Sequence, residues 1–186
     1  MFNEARTAEA AAYLLEKAGR TMPKMKLHAL IYLADREKYD DYGSSITKDT
    51  IITTEHGPML QNTTQLINQN NLAINTWNNL IYNDKNGTAI LRYPYTEDEY
   101  WQISKAIIII LDKTYKQFEH LNEKDLIKYL QTLPEWKYPE NNLLEITPKD
   151  IFIALNKDEK TINTLLYYLE NENAIDRWAS QTNQVQ

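Results

Sequence analysis

The sequence predicts a mainly α fold, a single compact domain of about seven helices with one small β-hairpin. Three observations carry this. Apolar residues recur at three- and four-residue steps along most of the 186-residue chain. Polar caps, prolines and glycines punctuate those runs where helices should start and stop. One stretch, "NLIYNDKNGTAILRYP", places two β-prone runs around Asn86-Gly87, a strong tight-turn signal.

Residues 4–18 read as the first helix, with Ala5, Ala8, Ala12, Leu15 and Ala18 at helical steps and Gly19 as the stop. Its alanines suit close packing against another helix. Thr21 is placed to cap a second helix with Pro23 in its first turn, and Leu27, Leu30, Ile31 and Ala34 form its apolar stripe. "DREKYDD" reads as the wet end of that helix, and Gly43 closes it. An extended segment follows from Ile46 to Thr54, where "IITT" suits a strand.

Gly57-Pro58 reads as a helix restart, because proline at the first helical position lacks only an N–H that has no intrahelical acceptor. Met59, Thr63, Leu66, Ile67 and Asn70 share a face of that helix, which makes it half-buried. Residues 71–79 are Asn-rich and read as irregular; the hairpin follows and Pro94 closes it. Thr96-Glu97-Asp98-Glu99 has the form of a capping box opening a long helix with Ile103, Ile107, Ile110, Leu111, Thr114 and Phe118 on one side. Its run from Ile107 to Leu111 covers almost every face and marks it as the central helix.

Asn122 and Asp125 open another helix, with Leu126, Ile127, Leu130 and Leu133 inward and Pro134 as its stop. "PEWKYPENN" is a loop carrying a tryptophan. Thr147-Pro148-Lys149-Asp150 starts a short helix through Leu155, and Asp158–Glu170 gives the last clear helix through Ile162, Leu165, Leu166 and Leu169. The tail, residues 180–186, is polar and reads as flexible. No internal repeat or domain-splitting linker interrupts residues 1–179.

Composition narrows function. Net charge is -6, which disfavours a protein whose main task is coating nucleic acid. Cysteine is absent, which excludes disulfides, thiolate metal sites and cysteine nucleophiles. The start, "MFNEARTAEAAAYLL", carries Glu4 and Glu9 where a signal peptide has cations, and the longest apolar run, Ala106–Leu111, is too short to cross a bilayer. The expectation is a cytoplasmic protein without a membrane partner.

The search for catalytic chemistry finds none. The three histidines, His28, His56 and His120, show no metal-ligand spacing. His28 and Asp35, seven residues apart, share a helical face, a pairing helices often show by chance; the plain reading of His28 is a residue between core and solvent. GxSxG, SxxK, GxxxxGK[ST] and GxGxxG are all missing. The chain is therefore read as a non-enzyme with no cofactor and no metal. Thirteen tyrosines and four tryptophans are instead suited to protein contacts or to a helical core. Trp77, Trp101, Trp136 and Trp178 read first as core or boundary anchors; with Tyr32, Tyr39 and Tyr42 they also suit a binding surface.

"MKLHALIYLADREKYDDYG" followed by "EHGPM" resembles the Panacea antitoxin domain family. The matching positions are Lys26, Leu27, Leu30, Ile31 and Tyr32, then Tyr42-Gly43, then Gly57, Pro58 and Met59. Ala29 stands where the family usually has lysine. "LPEWKYPE" is similar to the family's Pro-Trp loop through Pro134 and Trp136, without the histidine often found before it. The strongest part covers residues 24–60 and the likeness extends to about residue 155. It implies a helical antitoxin of a bacterium or prophage that neutralises a toxin encoded by an adjacent gene through direct protein contact. The residues it points to as partner-binding are Tyr32, Glu55, His56, Gly57, Pro58 and Trp136. Glu55 and His56, beside the helix start expected at Pro58, would offer free N–H groups nearby to a partner's acidic side chain. The blander role of that turn is to hold the chain against the second helix, and the two are compatible. Other roles in the same setting are a DNA-binding autorepressor, using helices near residues 122–155, and a protease adaptor. A homodimer is left open.

Overall fold

Asn3 starts the fold by capping the first helix: its side-chain oxygen accepts the Arg6 N–H at 3.0 Å. The structure, a computed structural model, describes residues 1–68, 75–96, 100–140 and 143–182, with side chains of the last helix described through residue 175. Helix α1 spans Glu4–Lys17, and Ala8, Ala10, Ala11 and Ala12 are fully buried. Small side chains let its backbone lie close to the helices and strands around it. Gly19 and Arg20 then take left-handed backbone angles in succession (φ 77° and 76°), turning the chain into strand β1, Thr21–Pro23.

Here the expected cap is corrected. Thr21 pairs with Ile90 in a sheet, and Pro23 occupies the position before the helix without a side-chain cap. Helix α2, Lys24–Tyr42, ends at Gly43, whose φ of 69° closes it in the left-handed conformation. Every residue from Leu27 to Asp35 is buried, a run too long to belong to one face. α2 is thus wrapped on all sides and is the central helix. The expected wet end is corrected at two positions: Asp35 and Tyr39 are buried, while Asp40, Asp41 and Tyr42 are exposed.

Strand β2, Ile51–Thr54, forms as expected, but its neighbour does not. Gly57–Leu60 is strand β3, antiparallel to β2 with Thr53 opposite Pro58, and not the first turn of a helix. Helix α3 begins only at Gln61 and runs to Asn68, with Thr63 and Ile67 buried. Asp49 anchors its start, accepting from the N–H groups of Asn62 (2.9 Å) and Thr63 (2.8 Å). Asn70 and residues 71–74 of the Asn-rich stretch lie outside the described residues. Within the rest of that stretch, a short helix α4, Thr76–Leu80, buries Trp77 completely.

The expected hairpin is present as β4, Ile81–Asn83, and β5, Thr88–Leu91, joined through Asn86-Gly87. β1 adds to its far edge, giving the order β1-β5-β4. Helix α5, Lys105–Phe118, is capped by Ser104; the capping box expected at residues 96–99 falls on Glu97–Glu99, outside the described residues. Ile107, Ile110 and Leu111 are buried, but Ile109 is 68% exposed, so α5 flanks the core and is not its centre.

Helix α6, Glu123–Leu130, carries the expected Asn122 cap. Strand β6, Glu145–Ile146, pairs with β2, completing a second sheet of order β3-β2-β6. Because β6 lies between α6 and helix α7, Pro148–Ala154, those two helices do not form a helix-turn-helix. Thr147 and Asp150 cap α7 reciprocally, as the sequence signals. The last helix, α8, runs from Glu159 to Thr182 with Ile162 buried and Leu165, Leu166 and Leu169 partly buried. Among the described residues, seven other helices and two three-stranded sheets thus surround α2, where the sequence showed one hairpin.

Carboxylates on α1 tie distant segments to the core. Buried Glu9 accepts the N–H groups of Trp101 (3.1 Å), Gln102 (2.7 Å) and Ile103 (3.2 Å), and Glu4 accepts that of Trp77 at 2.6 Å. Removing Glu9 strands three backbone donors at once. A Glu9→Ala variant is expected to lose roughly 2–3 kcal/mol of stability, and Glu9→Gln less, by urea unfolding. Equal stability of Glu9→Ala and wild type would contradict this.

Candidate functional site

The positions that carry the family resemblance lie far apart in sequence, and the fold joins several of them through the middle of α2. Tyr32 and Arg36 stand one turn apart on that helix. Both reach Glu135, whose side chain is fully enclosed: the Tyr32 hydroxyl donates to Oε1 at 2.8 Å, and Arg36 donates from Nε to Oε1 at 2.6 Å and from Nη2 to Oε2 at 3.3 Å. Burial, reinforced by the Glu135 charge, pushes the Tyr32 hydroxyl well above its ordinary pKa and keeps it a donor. For Arg36 burial works against the charge, but the bonds to Glu135 outweigh it and its pKa rises. Each member of this buried set satisfies the others.

Glu135 in turn fixes Trp136. The indole, half-buried, donates from Nε1 to the Thr54 carbonyl at 2.9 Å, at the end of β2. Gln131 Nε2 donates to the Glu55 carbonyl at 2.7 Å. The β2–β3 turn is organised by Thr54, whose hydroxyl donates to the Gly57 carbonyl at 2.8 Å and accepts the His56 N–H at 3.2 Å. Gly57 is required twice over. Its φ is +114°, and a Cβ there would stand 2.6 Å from the Leu130 Cβ at the end of α6. Pro58 is buried beside it, with its missing N–H tolerated on an edge strand.

Of the six residues singled out by sequence, Glu55, His56, Gly57, Pro58 and Trp136 are brought together, and Tyr32 reaches them only through Glu135. Tyr32 is 0% exposed, so it supports this surface from beneath and offers nothing outward. Tyr39 is buried as well, which corrects the aromatic surface expected from Tyr32, Tyr39 and Tyr42. Because Gly57-Pro58 is a strand, the helix N-terminus expected beside Glu55 and His56 is not there. What projects is the turn itself: the Glu55 and His56 side chains are exposed, with Oε1 and Nε2 3.9 Å apart.

Other residues of this surface escaped sequence reasoning. Tyr138, 62% exposed, meets Trp136 edge to face with centroids 6.2 Å apart. Exposed Leu144 is held next to β2 by reciprocal bonds with Thr53, at 2.8 and 3.0 Å. Arg36 reads in the sequence as part of the wet end of its helix, and its place one turn from Tyr32 is the signal that could have found it; Glu135 and Gln131 gave no signal beyond lying near Trp136. Of the remaining tryptophans, Trp77 is a core anchor as expected, Trp101 is 84% exposed and corrects its assignment to the core or boundary, and the Trp178 side chain lies outside the described residues.

His28 is a core residue, not a boundary one. Its Nε2 faces the Leu60 N–H at 3.1 Å and the Leu60 carbonyl at 3.2 Å, tying β3 to α2. The neutral ring accepts the N–H, which places its proton on Nδ1, an atom with no partner. Asp35 faces elsewhere: it accepts the N–H groups of Ile46 (2.7 Å) and Thr47 (3.1 Å) and the Thr47 hydroxyl. The two therefore do not form a shared site, and among the described residues no cluster of three or more His, Asp or Glu is placed to hold a metal ion. No helix among them is long and apolar enough to cross a membrane.

Burial lowers the His28 pKa from 6.5 to about 4 and raises that of Asp35 from 3.8 to about 6, the latter against the pull of the Thr47 and Ile46 bonds. The contribution of His28 is whole above pH 6.5 and drains as pH falls to about 4. That of Asp35 is whole below pH 3.8 and drains as pH rises to about 6. The two oppose each other across this window. In a His28→Gln variant the first contribution is gone, so the stability advantage of wild type over the variant is expected to shrink by about 3 kcal/mol between pH 6.5 and pH 4. Denaturant titrations at each pH measure it, and a difference that stays constant would contradict the assignment. Gly57→Ala, which strains the backbone and strikes α6, is expected to cost roughly 2 kcal/mol or more in the same assay.

Comparison with known protein families finds a match. The model described as "Antitoxin SocA-like, Panacea domain" matches residues 27–137, more than half of the chain, from α2 to the residue after Trp136. No curated protein and no solved structure matches the chain.

Proposed function

Because the chain belongs to the SocA-like antitoxin Panacea-domain family, we propose that it neutralises a cognate toxin by direct protein contact in the cytoplasm, through the β2–β3 turn and the Trp136 loop. The observation that carries this reading is the convergence of the family's separated motifs. The matched segment starts on α2 and ends just past Trp136, and those two ends are joined through buried Glu135. That arrangement builds a stiff platform with Glu55, His56, Trp136 and Tyr138 at its surface.

Such a platform suits recognition of a folded partner. Rigid aromatic groups supply contact area at low entropic cost, and a pre-ordered turn avoids paying for ordering on binding. Tyr32 and Arg36 act indirectly by holding Glu135 and hence the tryptophan loop.

Co-expression with the product of the adjacent gene tests the proposal. That product alone is expected to stop growth, and this protein is expected to restore growth and to co-purify with it. A harmless neighbour, or toxicity that persists beside well-expressed protein, would refute it. The double variant Glu55→Ala/His56→Ala is expected to keep the wild-type melting temperature and to bind the toxin roughly tenfold more weakly. Unchanged binding would remove the turn from the contact surface.

A further inference from the structure

We infer that α8 forms a second contact surface, for a protein partner with a basic face, and that it contributes selectivity lying outside the shared domain. This rests on the antitoxin reading and extends it to a segment the family match does not include. The match ends at residue 137; α7 and α8 come after it. These helices are nevertheless built onto the domain. Leu165 packs on Gly43, where a Cβ would stand 2.5 Å from Leu165 Cδ2. Lys48 pairs with Glu172 at 2.9 Å, and Lys157 with Asp40 at 2.5 Å. With Ile162 buried, the inner face of α8 is accounted for.

The outer face is not. Tyr167 and Tyr168 stand side by side, 64% and 65% exposed, with ring centroids 6.1 Å apart. They border a shallow groove with Glu159, Lys160, Asn163 and Thr164. Ile175, two turns beyond Tyr168, is 66% exposed. A soluble helix face normally places charged residues there, and paired exposed tyrosines are the side chains most favoured at interfaces.

Charge decides the occupant. The exposed acidic residues near this face include Glu159 and Glu170, against Lys160 as the one cation among the α8 side chains described. The whole chain carries -6. A second copy would bring the same acidic face and the same net charge, so like charges would meet across the interface. A basic partner surface, such as one that itself handles phosphate groups, complements it.

Co-expression and binding measurements with the adjacent-gene product separate this inference from the reading beneath it. The Tyr167→Ala/Tyr168→Ala variant and, separately, the Glu159→Lys/Glu170→Lys variant replace exposed side chains and are expected to melt like wild type. Each is expected to weaken toxin binding roughly tenfold or more, while added salt weakens the wild-type complex. If wild type neutralises the toxin and both variants bind it as tightly, the inference is overturned and the antitoxin reading stands. If wild type is a dimer that the tyrosine variant dissociates, the occupant is a second copy and the inference is overturned. If wild type fails to neutralise, both fall.

Discussion

A helix buried on every side must find partners for the polar groups it carries, and α2 does so by reaching outward, leaving only His28 Nδ1 without one among the described residues. His28 takes the backbone of Leu60 in β3. Asp35 takes Ile46 and Thr47 in the loop before β2. Tyr32 and Arg36 take Glu135 beyond α6. An unpaired buried polar group costs as much as several good apolar contacts return, so each of these bonds is also a positional instruction. The β2–β3 hairpin and the Trp136 loop lie where they do because polar atoms inside α2 require them.

This constraint also explains what the sequence concealed. Helices α1, α6 and α7 and the β4–β5 hairpin were legible because their signals are local: Asn122 caps, Thr147 and Asp150 box, Asn86-Gly87 turns. The identity of the central helix was not. Ile107 to Leu111 outscore α2 in apolar content, yet Ile109 faces solvent, whereas His28, Tyr32 and Asp35 hide the burial of α2 behind polar names. Periodicity detects a buried stripe; it does not detect a buried polar residue whose partner is a hundred residues away.

Gly57-Pro58 shows the same limit at the site. The pair reads as a helix start by local chemistry, and it is an edge strand because it pairs with β2, with Leu130 of α6 packed against Gly57. The order of motifs along the chain was enough to suggest the family, since it reflects which segments meet. It was not enough to say which residues face outward. Tyr32 is one of the matching positions and is buried; Tyr138 and Leu144 are not among them and are exposed.

A domain held together in this way is suited to serve as a fixed base for contact surfaces, with α7 added on the end of α2 through Tyr39 and Phe152 and α8 through Gly43 and Leu165. The account stands or falls on whether α2 and the segments it grips behave as one cooperative unit. Native-state hydrogen exchange measures that directly. The amides of Leu60 and Ile46 should open with the same free energy as those of Leu30 to Ala34, that of global unfolding. Opening of either at a free energy lower by more than about 2 kcal/mol, with α2 still protected, would show that the buried polar bonds do not couple the site to the core.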